Sequence, residues 1–203
     1  MNQRLIFVRH GHTNNNSRDN KTNRMMGWVN DVAGLSEEGR ADARSTASKL
    51  RNYQIDVAYH SDLLRTTETA SIISSELTIK IEPTHYLRER NLGNFADCTA
   101  HDLITSRPHD WKKFLDHADQ DWNGLAGESL RQVNARFAEF HQILKSQYPG
   151  KNVLLVTHSG IMHTILRDYF GFFPVESFIE VGHDSITVVD NIDGNHQLTL
   201  HNG

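Results

Sequence analysis

A single cysteine, Cys98, stands among the 203 residues. No disulfide can form within such a chain, thiolate-rich metal sites are excluded, and a reducing compartment suits it. Long hydrophobic runs are missing as well. The apolar segment near the start, Leu5-Ile-Phe-Val8, is ended at once by Arg9 and His10. It is too short for a signal peptide or a membrane span, so we expect a cytoplasmic protein with no membrane partner. Excess charge is also absent: 21 Lys and Arg against 25 Asp and Glu give a formal net charge of -4. Bulk attraction to nucleic acid is therefore not indicated. There is no internal repeat, no dividing linker, and no low-complexity segment beyond Asn14–Asn16.

What is present is ordinary globular material, 37% hydrophobic and 23% charged, in a length that fits one domain. Leu5–Val8 and Val153-Leu-Leu-Val156 are continuous apolar runs, which suit strands buried on both faces of a parallel sheet. Ile55–Tyr59 reads as a further strand and Thr78–Ile81 as a short one stopped by Pro83. Ser177–Val181, Ser185–Val189 and Gln197–Leu200 read as closing strands, with Asp193-Gly194 a hairpin turn. Helices are expected from Ser36 to Leu50, from Ser61 through Leu64 to Ile73, from Ser129 to Lys145 and from Ile161 to Tyr169. Residues 11–34 read as a long loop, and 85–127 as a cap-like insertion with short helices near Asp102 and Trp111. The alternation of strand and helix predicts an α/β fold, with a mostly parallel central sheet flanked by helices in three layers.

Two segments share one design. Leu5–Val8 runs into Arg9-His10-Gly11, and Val153–Val156 runs into Thr157-His158-Ser159-Gly160. Each buried strand delivers a histidine at its carboxyl end, the edge where open parallel sheets bind ligands. Taken singly, either histidine reads as an ordinary satisfied polar residue. Taken together, they predict a shared site if the strands are neighbours. Gly11 and Gly160 beside them would let backbone N–H groups approach an anion. Arg9 and Arg65 have the planar fork suited to phosphate, although each alone also reads as a surface ion pair. Glu89, in Leu87-Arg-Glu-Arg90, is a candidate general acid, or else a solvated carboxylate among arginines.

Arg9-His10-Gly11-His12-Thr13 resembles the RHG signature of the histidine phosphatase superfamily, the phosphoglycerate mutase-like proteins. The resemblance runs through most of the chain in order: Asn16, Gly27-Trp28, Leu35–Gly39, Ser61–Ala70, Leu87–Gly93, Gly127-Glu128-Ser129 and Val156–Gly160. It implies that His10 is the nucleophile and that Arg9, Arg65 and His158 surround the phosphoryl oxygens. It further implies that Glu89 protonates the leaving alcohol and then activates water. Asn16, Gly11 and Ser159 would complete the phosphate site, with no metal and no cofactor.

Three positions depart from the family pattern: Ser159 replaces a glycine, His163 stands about where an arginine is common, and Asp97 falls where a glycine is usual. They bear on substrate identity more than on the chemistry. Within the insertion, Trp111, Phe114, Trp122 and Leu125 lie among Asp116, His117, Asp119 and Asp121. These aromatics read as anchors of a helical hairpin rather than as a substrate wall, and the acids count against a highly anionic substrate. The short insertion resembles the phosphatase branch more than the longer mutases. The expected partner is a small phosphate ester, and a homodimer is allowed. Phosphoglycerate mutase-type transfer and a non-catalytic phospho-ligand binding module remain alternatives. Thirteen histidines raise the further alternative of a metal-binding protein, but they lack zinc-ligand spacing, and His158 and His163, five apart, fit one poorly.

Overall fold

The backbone of the first apolar run is extended from Arg4 to Arg9, forming β1. Its side chains alternate between two separate cores. Leu5 and Phe7 join Phe137, Leu155 and Ile161 on one face of the sheet. Ile6 and Val8 join Ala47, Ile73, Leu154 and Val156 on the other. A strand that feeds two cores has no polar face to show, which is why the run carries no polar–apolar alternation. The computed structural model describes residues 2–14, 24–25, 28, 34–123, 126–177, 179–183 and 185–200.

The chain continues with α1 (Glu37–Leu50), β2 (Val57–Ser61), α2 (Leu64–Leu77) and β3 (Glu82–Thr84). Then follow α3 (Ala100–Ser106), α4 (Pro108–Leu115), α5 (Leu130–Gln147), β4 (Asn152–Thr157), α6 (Ser159–Thr164), β5 (Ile186–Ile192) and β6 (Asn195–Leu200). A wider π-type turn, Ile165–Tyr169, prolongs α6. Among the described residues the strands form one six-stranded sheet in the order β3-β2-β4-β1-β5-β6. The first four of these run parallel to one another, and β5 and β6 add antiparallel pairings at one side. Buried residues of α1 and α2 cover one face, and those of α5 and α6 cover the other, giving the expected three layers.

Local chemistry sets the helix starts. Ser36 caps α1 by accepting from the Gly39 N–H, with Glu37 and Glu38 in the first turn. Ser129 and Gln132 form a capping box at α5, an arrangement whose cap alone is worth about 1 kcal/mol. Asp193 and Gly194 both take positive φ, 51° and 89°, in the hairpin turn that joins β5 to β6.

Three expectations fail. Thr78–Ile81 is not a strand, because Thr78 ends α2 in a left-handed conformation at φ 55°. The strand comes later and contains Pro83, tolerated because β3 lies at the sheet edge. Ser61 ends β2 rather than opening α2, whose cap residue, Leu63, offers no side-chain hydrogen bond. The described part of Ser177–Val181 forms no strand. Ile179 and Val181 are buried, which mimics a strand pattern, but the Val181 carbonyl accepts from Arg9 instead of from a neighbouring strand.

Candidate active site

Because β1 and β4 pair in parallel with Arg9 opposite Thr157, the next residue of each strand arrives at the same edge. The His10 N–H donates to the Thr157 carbonyl at 3.0 Å, and the His10 and His158 rings lie 5.2 Å apart, edge to face. Arg65 enters from the first turn of α2, only 1% exposed. Arg9, His10, Arg65, Glu89, Ser159 and Gly160 all line one cavity of about 330 Å³. Candidate residues from four separate stretches of sequence thus meet in one place. Asn16 lies outside the described residues.

The His10 ring has a defined polarity. Its Nδ1 is 2.9 Å from the Gly11 carbonyl, an acceptor only, so Nδ1 carries the proton and Nε2 keeps its lone pair. Burial, with Arg65 and then Arg9 adding like charge, holds the imidazole well below its ordinary value of 6.5. His158 is complementary. Its Nε2 is 2.8 Å from the Ser61 hydroxyl, which also accepts from the Leu63 N–H. The His158 Nδ1 is buried and without a hydrogen-bond partner. The Arg9 guanidinium is lowered to about 10 by burial, with Glu89 opposing and Arg65 assisting.

Glu89 is fixed by backbone donors. Its carboxylate accepts from the N–H groups of Gly160 at 3.0 Å, Ile161 at 2.8 Å and Arg90 at 2.9 Å. The first two belong to the opening turn of α6, whose N–H groups have no carbonyl partner within the helix. Gly160 leaves the room for this: a Cβ there would stand 2.5 Å from Glu89 Oε1. The expectation that Gly11 and Gly160 offer free amides to an anion is corrected accordingly. The Gly160 N–H serves Glu89, and the Gly11 N–H donates to Thr69 Oγ1 at 3.2 Å. Gly11 instead permits close packing, since a Cβ there would overlap the backbone of Gly39 in α1.

Several residues at the site escaped the sequence reading. His183 hydrogen-bonds the His10 carbonyl through Nδ1 at 2.9 Å, and its ring lies 5.6 Å from His10 and 3.7 Å from His12. Burial, Arg9 and His12 bring it down to about 4 against the opposing effect of the His10 carbonyl. Its signal was available in principle: an antiparallel β5 beside β1 must begin where β1 ends, so the residues before Ile186 arrive at the site. Ser61 and Thr69 support His158 and Gly11.

The insertion supplies the outer wall. Trp111 and Phe114, both on α4, stack on each other at 5.5 Å and line the cavity, so they form part of its wall, the reading that the sequence disfavoured. Asp116, Asp119 and Asp121 do not line it, and Asp121 pairs with Arg131 on the surface. His117, Arg90 and Arg167 line it in their place. Leu125 lies outside the described residues. Asp97 takes a left-handed φ of 68°, a conformation glycine adopts without cost and aspartate tolerates, which accounts for that departure. Among the described residues no group of three or more His, Cys, Asp or Glu is arranged to hold a metal ion. None of the helices among them is long and apolar enough to cross a membrane.

Fold and site together define a phosphoglycerate mutase-like α/β protein, with two histidines meeting at the carboxyl ends of adjacent parallel strands. The chain belongs to the histidine phosphatase superfamily (branch 1), whose profile matches residues 5–203. It is 31% identical to phosphoglycerate mutase-like protein 4 of Arabidopsis thaliana over 79% of this chain and 68% of that one. It is 30% identical to a 2,3-bisphosphoglycerate-dependent phosphoglycerate mutase of Parvibaculum lavamentivorans over 80% of this chain and 77% of the relative. The structure of a mycobacterial glucosyl-3-phosphoglycerate phosphatase superimposes with a TM-score of 0.85 at 25% identity, covering 100% of both chains.

Proposed function

We propose that this protein is a phosphomonoester hydrolase that acts on a small phosphorylated metabolite through a phosphohistidine on His10. The carrying observation is the His10 ring itself: Nδ1–H fixed on the Gly11 carbonyl, Nε2 unprotonated, and the whole buried beside Arg9 and Arg65. Nε2 attacks phosphorus, the ester P–O bond breaks, and the leaving oxygen takes a proton from Glu89. Glu89 then removes a proton from water, whose oxygen attacks phosphorus as the P–N bond breaks. Inorganic phosphate leaves and His10 returns to its neutral form. Arg9, Arg65 and His158 stabilise the charge spread over the phosphoryl oxygens, where such reactions gain most of their rate. Buried Arg65 and partly buried Arg9 supply positive charge, so the scheme requires no metal. Asn16 and Ser159 would add donors to the phosphate, as the family resemblance implies.

The mutase relatives favour a second reading, in which the phosphoryl group returns from His10 to another hydroxyl of the substrate. The structural likeness to a phosphatase along the whole chain, and a cap of two helices of only 7 and 8 residues, favour hydrolysis. A panel of phosphate monoesters, assayed for released phosphate and in parallel for phosphoglycerate mutase turnover, separates the two. Hydrolysis of at least one ester with no mutase turnover is expected. Mutase turnover exceeding hydrolysis would overturn the reading.

A further inference from the structure

The hydrolytic scheme needs His10 to keep its proton on Nδ1, and the Gly11 carbonyl is what holds it there. Gly11 cannot fix its own carbonyl, because a residue without a side chain has the freest φ and ψ, and the turn 10–12 lies beyond the end of β1. The two peptide groups that flank Gly11 are held from outside instead. In the first, the Gly11 N–H donates to Thr69 Oγ1 at 3.2 Å, and the His10 carbonyl accepts from His183 Nδ1 at 2.9 Å. In the second, the His12 N–H donates to Asp42 Oδ2 at 3.2 Å, and the carbonyl is the one that faces the His10 ring. A peptide group is a rigid plane, so holding both its ends sets its rotation and releasing one end frees it.

His183 reaches this turn from 173 positions along the chain. A carbonyl only accepts, so His183 Nδ1 carries the proton of that bond. The ring has a fixed place of its own. It lies on the His12 ring, 3.7 Å between centroids and 33° between planes, and His12 Nδ1 donates to Asp42 Oδ2 at 2.6 Å. Asp42 thus holds one flanking peptide directly and the other through two rings. The stretch that carries His183 also holds Arg9, whose Nη1 donates to the Val181 carbonyl at 2.6 Å. His183, His12 and Asp42 do not line the cavity, so they are not placed to touch a substrate there. We propose that His183 is a positioning residue for the nucleophile. Through the His10 carbonyl it fixes the peptide between residues 10 and 11, hence the direction of the Gly11 carbonyl, hence the ring nitrogen of His10 that carries the proton. Without that donor the peptide can turn and the Gly11 carbonyl leaves Nδ1. The His10 proton is then free to move to Nε2, where it occupies the lone pair that attacks phosphorus. His183 acts by orientation and not by charge, since burial, Arg9 and His12 lower it to about 4 against the His10 carbonyl and leave it neutral at neutral pH.

The inference rests on the reading of His10 as the nucleophile, and two substitutions separate positioning from simple packing. His183→Phe keeps a ring on His12 and removes the donor. His183→Asn gives up the ring and keeps a side-chain N–H near the place of Nδ1. In the first variant kcat/KM for an aryl phosphate should fall about tenfold or more, and in the second it should stay within about threefold of wild type. Competitive inhibition by inorganic phosphate should stay within about twofold in both, because Arg9 and Arg65 are retained. Nitrogen NMR of the histidine rings should show His10 protonated on Nδ1 alone in wild type and in His183→Asn, and exchanging between both nitrogens in His183→Phe. Equal activities in the two variants, the reverse order, or a His10 tautomer unchanged in His183→Phe overturns the inference. If His183→Phe does not fold, the wild-type spectrum decides: His183 must carry its proton on Nδ1, and a proton on Nε2 alone overturns the inference. If wild-type protein hydrolyses no ester, the hydrolase reading fails, while the tautomer comparison still settles the role of His183.

Discussion

Replacing Gly160 by alanine should separate the acid step from the rest of the reaction. The new Cβ would stand 2.5 Å from Glu89 Oε1, 3.0 Å from Cδ and 3.1 Å from Oε2, so the carboxylate must move. Moving it breaks the hydrogen bonds to the N–H groups of Gly160 and Ile161. Each bond to a charged acceptor contributes about 1.5–3 kcal/mol, and alanine returns about 1 kcal/mol of helix propensity. With partial rehydration of the displaced carboxylate, a net loss of about 2 kcal/mol follows, or a fall of about 4–8 °C in Tm. A displaced acid costs about 10²-fold or more in kcat/KM for an alkyl phosphate, whose leaving group needs a proton. An aryl phosphate leaves unaided and should lose less than about tenfold. kcat/KM reads only the steps up to release of the alcohol, so the later role of Glu89 in activating water does not enter. Glu89→Gln should reproduce the same split. Equal losses on the two substrates, or no loss on either, would refute the assignment of Glu89 as the acid.

Two further outcomes are expected. His10, His141 and His158 are buried to within 5% and held below 6.5, His141 at about 3. The unfolded chain binds protons near 6.5 that the folded one refuses, so stability is fully present above that pH and falls as the pH drops toward the folded values. From pH 6.5 to 5 the loss is about 2 kcal/mol for His141, with His10 and His158 acting in the same direction, and urea midpoints that stay level between pH 7 and pH 5 would contradict this. Turnover should persist within about twofold in excess EDTA, because Arg9 and Arg65 carry the charge. A loss restored by zinc or magnesium would show that the scheme omits a metal.

The fold was legible where the sequence pattern has a single physical meaning. Leu5–Val8 and Val153–Val156 lack alternation because both faces of their strands are buried, and that same pairing brings His10 to His158. Ser36 and Ser129 mark helix starts because their hydroxyls cap them. The errors arise where a residue answers to a distant partner. Ser61 looked like a helix opener but serves His158, 97 positions away. Val181 looked like part of a strand, but its carbonyl accepts from Arg9 at 2.6 Å. The acids of the insertion suggested a wall unfriendly to anions. In the fold they do not line the cavity, and Arg90, read only as a neighbour of Glu89, and Arg167, unremarked in the sequence, do. Charge counted along a segment does not show which side chains share a surface, since only packing decides that.

The central claim is that His10 takes the phosphoryl group, and it can be tested by trapping that group. Protein mixed with an aryl phosphate and quenched within milliseconds should gain one phosphoryl group, stable in alkali, lost in acid and located by mass spectrometry at His10. His10→Ala should show no such adduct and no turnover. A phosphoryl group on any other residue, or turnover by His10→Ala within about tenfold of wild type, would contradict the account.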